Sequence, residues 1–172
     1  ERFNILAKNP NKIPELAYVD IICTDKTGTL TTGIMSPKEI INGEGKDIEK
    51  SSFLWNTIKR NIALNNSATF DNENNITGGN SIDRAVLSLM NSQEYSDIVR
   101  NNTMKDKQVF NSSNKYSAFT SSNGTTYYKG APEKLISYCS KIMQNDGNIS
   151  DFSSDMVKKL NYTIRSMTSK SM

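Results

Sequence analysis

The dipeptide Asn123-Gly124 constrains this chain more than any other pair of residues. Both residue types tolerate positive φ, so together they favour a tight reversal between two strands. Runs rich in β-branched and aromatic residues flank it, Lys115 to Thr120 before and Thr125 to Lys129 after. Gln108 to Phe110 is a third such run. Residues 105–130 therefore predict a β-meander. Meander strands pair antiparallel, which disfavours a doubly wound parallel sheet.

Helical spacing brackets the meander. Leu54, Ile58 and Ile62 recur every fourth residue within 47–65, with Trp55 beside them. Ile82, Ala85, Val86, Leu89 and Met90 fall on one helical face, and Asn80 or Ser81 can cap that helix. Asp71 to Asn80 reads as a polar loop. Pro132 stands where a helix begins, with Leu135, Ile136, Cys139 and Ile142 as its apolar side. A last helix is expected over about 153–169, carrying Met156, Val157, Leu160, Ile164 and Met167 on one side. The fold class is α/β (α+β): an antiparallel β-sheet flanked by helices.

At the N-terminal end the pattern changes. Residues 1–16 are polar and broken by Pro10 and Pro14. The run from Ala17 to Cys23 reads as a buried strand feeding a Thr/Gly-rich loop. Ser36 to Asn42 is a further strand candidate, closed by Gly43 and Gly45.

Composition narrows the chemistry. The chain has 172 residues, enough for one core without disulfide or metal staples. Its hydrophobic fraction is low, 35%, with Asn and Ser at 21 each. The net charge of +3 is too small to hold it open. No His occurs, which removes every Ser-His or Cys-His nucleophile and every His metal site or base. Cys23 and Cys139 have no metal-ligand spacing and are expected as buried thiols. Dispersed lysines give no basic stripe, so nucleic acid is not an expected partner. No apolar run is long enough to span a membrane.

The chemistry-bearing segment is Asp25-Lys26-Thr27-Gly28-Thr29-Leu30-Thr31. An Asp at the end of a buried strand projects into the crevice where α/β sheets bind ligands. Its carboxylate can attack a phosphoryl group and form an aspartyl-phosphate. Gly28 lets backbone amides turn toward an anion, Thr27 and Thr29 add hydroxyls, and Lys26 favours an anionic substrate. The structural alternative is an Asx turn in which Asp25 caps local amides.

This segment resembles the phosphorylation motif of the P-type ATPases, ion pumps of the haloacid-dehalogenase superfamily. The resemblance implies that Asp25 accepts the γ-phosphoryl of ATP, that Lys26, Thr27 and Thr29 belong to the catalytic loop, and that Asp25 and the Thr27 backbone carbonyl bind Mg²⁺. Lys129-Gly130-Ala131-Pro132-Glu133 resembles the nucleotide-domain signature of type II pumps, in a Ca²⁺-ATPase-like pattern; it implies that Lys129 and Gly130 line an ATP pocket. Phe110 followed by Lys115 resembles the family segment in which a Phe stacks on adenine and a Lys holds the nucleotide. Gly79 to Leu87 resembles the stretch where a Glu meets the adenine amino group, with Asp83 in that place. Cys139 after Tyr138 matches a position the family uses for packing.

The implied architecture is the start of a haloacid-dehalogenase-like phosphorylation domain over residues 1–35, then a nucleotide-binding domain over 36–172, truncated at its C-terminal end. The family's Thr-Gly-Asp, Gly-Asp-Gly-x-Asn-Asp and Thr-Gly-Glu segments do not occur here. The expected parent sits in a membrane, with this part on the cytoplasmic face, and couples ATP hydrolysis to cation transport. Its partners would be ATP, the rest of the pump, and a cation held by membrane helices, calcium being the first expectation. The fragment alone is expected to be catalytically incomplete. Two alternatives remain at this point: a stand-alone haloacid-dehalogenase-type phosphatase, and a non-catalytic interaction domain.

Overall fold

The computed structural model describes residues 6–170. The expected irregular chain at 1–5 and the last two residues of the expected nucleotide domain lie outside them. The chain divides into two compact units, Glu1–Ile34 and Met35–Met172.

In the first unit, Pro10–Tyr18 winds as 3₁₀ turns capped by the Asn9 side chain, and Lys26–Leu30 forms a wide turn. The strand expected at 17–23 is not formed. Ile21 and Ile22 are 79% and 82% exposed, and no neighbouring strand offers them a ladder among the described residues. An isolated strand satisfies none of its backbone groups and buries neither face, so β-branched content alone does not create one. Cys23 is exposed for the same reason, against the expectation of a buried thiol.

The second unit holds α1 (Phe53–Leu64), β1 (Ala68–Phe70), β2 (Ile76–Gly78), α2 (Ser81–Leu87), α3 (Ser92–Arg100), β3 (Met104–Gln108), β4 (Tyr116–Ser121), β5 (Thr126–Gly130), α4 (Pro132–Leu135), β6 (Lys141–Met143), β7 (Ile149–Asp151) and α5 (Ser154–Ser169). The antiparallel expectation holds, but the strands fall into three small sheets, β1-β2, β3-β4-β5 and β6-β7. The middle sheet is the meander, with Ser117 opposite Lys129 and Phe119 opposite Tyr127. Its reversal uses positive φ only at Gly124 (87°): the Gly124 N–H donates to Ser121 O at 2.9 Å and Thr125 N–H to the Asn123 side chain. That is a turn closed by one left-handed residue, not a two-residue mirror-image turn.

Several boundaries shift for local reasons. Helix α1 starts at Phe53, not 47, because the Ser52 hydroxyl accepts from Trp55 N–H at 3.1 Å and sets the cap. Ser36 to Asn42 makes one isolated bridge, Ile41 to Asp47, and no strand. The Asn42 carboxamide draws Glu44 and Lys46 N–H groups into a turn instead. The expected loop at 71–80 contains β2. The helix expected from Ile82 to Met90 stops at Leu87, and Ile82 is exposed. A capping box between Asn91 and Glu94 then starts α3. Phe110 lies beyond the end of β3, not within a strand. Cys139 is exposed: it follows a short 3₁₀ turn at Ile136–Tyr138 that packs no face into the core.

The core of this unit is Ile62, Ala63, Ala68, Leu87 and Met90, where α1, α2 and the first hairpin meet. The apolar side of α5 is only half-buried. Among the described residues, no helix is long and apolar enough to cross a membrane.

Candidate functional site

Helix α1 ends in two buried asparagines that hold three elements together. Asn65 donates through its side-chain amide to Ser117 O (3.1 Å) and Tyr127 O (3.0 Å), tying the helix end to β4 and β5. Asn66 donates to Asp83 O at 3.1 Å and accepts from Ala68 N–H at 2.8 Å, tying it to α2 and β1. Buried amides bonded this way leave little freedom to the backbone around them.

The approach to α2 is a glycine turn. Gly79 has φ of 57°, and a Cβ there would lie 2.6 Å from Ala68 N, so only glycine fits. Arg84 reaches back to Gly78 O and Gly79 O, at 3.1 and 2.7 Å. Asn80 caps the helix by accepting from Asp83 N–H at 2.9 Å. Asp83 therefore sits in the first helical turn, where the helix dipole favours a carboxylate. Its side chain is only 7% exposed, and it is ion-paired with Lys129 of β5.

These elements surround a cavity of about 690 Å³. Asp83, Phe110, Lys129 and Gly130 all line it, together with Asn65, Asn66, Asn80, Ile82, Lys107 and Val109. The volume lies in the range of small-molecule pockets. Phe110 lines it as well, 55% exposed and outside the buried core. Gly130 passes so close to Tyr116 that a Cβ would meet Tyr116 Cβ at 2.5 Å.

Lys115 is not on the cavity wall. It adopts φ of 58° and its ammonium bonds Glu133 at 3.4 Å, both side chains exposed. A backbone hydrogen bond at Glu133 and then the Lys115 ammonium hold the Glu133 carboxyl below its ordinary value. Sequence reasoning missed Asn65, Asn66 and Lys107. The asparagine pair carried a readable signal, two amides directly after the last apolar residue of a helix. Lys107 carried none.

In the first unit, Asp25 accepts the Lys26 N–H at 2.8 Å, and Thr31 N–H closes the turn on Lys26 O at 3.1 Å. Gly28 takes φ of 77°. The loop is exposed, with one carboxylate at its head. Among the described residues, no group of three Asp, Glu, Cys or His side chains could hold a metal ion.

Residues 54–172 match the family description "P-type ATPase, cytoplasmic domain N". The chain is 30% identical over 172 residues to the human sodium/potassium-transporting ATPase subunit alpha-4, covering 84% of this chain and 17% of that protein. It is 30% identical over 168 residues to the alpha subunit of Hydra vulgaris (83% of this chain, 16% of that one). It is 29% identical over 176 residues to the alpha subunit of Tetronarce californica (84% and 17%). The chain thus spans about a sixth of the length of these relatives.

Proposed function

The chain belongs to the P-type ATPases, matching their cytoplasmic domain N, and on that premise we propose that the cavity beside α2 and β5 binds ATP. The observation that carries this reading is convergence. Asp83, Phe110, Lys129 and Gly130 come from separated stretches of sequence, each singled out for a nucleotide, and all four line one cavity. Phe110 stacks on the adenine ring, whose apolar faces suit an aromatic wall. Asp83 accepts from the exocyclic amino group, and Lys129 positions that carboxylate. Gly130 lets β5 pack closely against Tyr116 at the edge of the cavity wall. Lys115 acts outside the cavity, near Glu133, toward the part of the nucleotide that projects into solvent.

For the whole protein, we propose that the Asp25 carboxylate attacks the γ-phosphorus of ATP. The bond to the β-phosphate oxygen breaks, ADP leaves, and an acyl phosphate forms on Asp25. Water later cleaves that acyl phosphate, coupled to cation movement across a membrane, with this region on the cytoplasmic face. Lys26 attracts the anionic substrate, and Thr27 and Thr29 orient it. Asp25 and the Thr27 carbonyl are hard oxygen donors that suit Mg²⁺, but two donors fit only part of its octahedron. The remaining positions would be filled by oxygens that this loop does not itself supply. When bound, the ion neutralises phosphate charge. Calcium is the cation expected from the motifs, while sodium and potassium appear in the names of the relatives. Ion-dependent ATPase activity of the full-length protein decides between them.

The test for this chain is a titration with a non-hydrolysable ATP analogue, read by amide chemical shifts. Shifts are expected at Asp83, Phe110, Lys129 and Gly130. No shifts there would refute nucleotide binding at this cavity. The isolated chain should show no steady ATP hydrolysis, because the Asp25 loop presents one carboxylate and, among the described residues, no group of three metal-ligating side chains accompanies it.

A further inference from the structure

We propose that Lys107 is the residue of this cavity that holds the nucleotide's phosphate chain. The inference rests on the ATP reading above and assigns a contact that the sequence motifs do not.

The charges around the cavity do not cancel. Asp83, Lys107 and Lys129 are its charged wall residues. Lys129 is spent on Asp83, and Lys115 outside is spent on Glu133. Among the described residues, Lys107 has no ion-pair partner. Its ammonium donates to the main-chain carbonyl of Asn66 at 2.9 Å. The nearest carboxylate in sequence, Asp106, accepts from the Lys107 backbone N–H and not from its ammonium. Strand alternation also sends the two side chains to opposite faces of β3.

A neutral carbonyl leaves the ammonium with its full charge and two free donors. The residue as a whole is exposed, and its ammonium rests on the Asn66 carbonyl at the cavity wall. An amphiphilic nucleotide entering such a cavity places its base toward the apolar wall and its anionic chain toward this cation. Charge-assisted bonds from ammonium to phosphate are the strong kind, and the uncompensated charge also steers an anion inward.

The experiment measures ATP, ADP and adenosine affinity of the 172-residue chain by calorimetry, at low and moderate salt, for wild type, Lys107→Met and Lys107→Arg. Lys107→Met should lose about tenfold in ATP affinity while adenosine affinity stays within about twofold. Its ATP affinity should also fall less steeply with salt, and Lys107→Arg should retain most binding. A general structural defect would weaken adenosine equally, and that result overturns the proposal. Unchanged ATP affinity in Lys107→Met overturns it as well. Failure of wild type to bind either ATP or adenosine would instead sink the nucleotide reading on which it rests.

Discussion

Lys129→Met tests the site and the fold together. Asp83 is almost fully buried, and Lys129 is its ion-pair partner, 27% exposed. Removing one member of a buried pair leaves an uncompensated charge and costs about 3–5 kcal/mol. Water can reach part of this pair through the cavity, so about 2–3 kcal/mol is the expectation here. For a unit of this size that corresponds to roughly 6–12 °C in melting temperature. Trp55 is the only Trp in the chain and is buried in α1, so its fluorescence reports unfolding directly. Urea titration should show a lower midpoint with an unchanged slope. Asp83→Asn should cost less, about 1 kcal/mol, because the partly exposed ammonium rehydrates. The double variant Asp83→Asn/Lys129→Met should be more stable than the two single losses summed, with a coupling of at least 1 kcal/mol. A Lys129→Met protein as stable as wild type, or a coupling near zero, would show that water and not Lys129 satisfies the Asp83 carboxylate. The same variants should weaken ATP binding: Lys129→Met no longer holds the carboxylate toward the base, and Asp83→Asn removes that carboxylate.

Three further outcomes are expected. Phe110→Ala should leave the unfolding free energy from urea titration within about 0.5 kcal/mol, because the ring is half exposed, yet reduce ATP affinity about tenfold through lost stacking. Gly130→Ala should destabilise by several kcal/mol, read by urea titration, because its Cβ would collide with Tyr116 at the start of β4 and with the Lys115 carbonyl just before it. Glu94 is held below its ordinary carboxyl value, first by the Lys59 ammonium bond and then by the Asn91 backbone. A depressed folded-state pKa gives stability that is present above the unfolded value and lost as pH falls through the folded one. Wild type should therefore lose more stability than Glu94→Gln as pH drops below about 4.5; parallel pH profiles would refute the link.

Much of the second unit was legible because its signals are local. The Asn123-Gly124 reversal, the Asn80 cap, Pro132 at a helix start and the period of α5 each depend on residues within one or two turns of one another. The capping box at Asn91 was equally local and marks α3, which the longer apolar period hid. The strand expected at Ala17 to Cys23 fails for the opposite reason. A strand's hydrogen bonds belong to its neighbours, and the described residues of that unit supply none.

The candidate site divides the same way. The sequence marked Asp25, Asp83, Phe110, Lys115, Lys129 and Gly130 through its resemblance to the P-type ATPase motifs, which residue identity carries whatever the fold. Only the tertiary structure decided which of them meet. It sets Asp83 against Lys129, two residues 46 apart in sequence, and pairs Lys115 with Glu133. It also leaves Lys107 as the unpaired cation beside the cavity, among the described residues. A side chain's charge is written in its residue type, but whether that charge is neutralised depends on what the folded chain brings within about 4 Å of it.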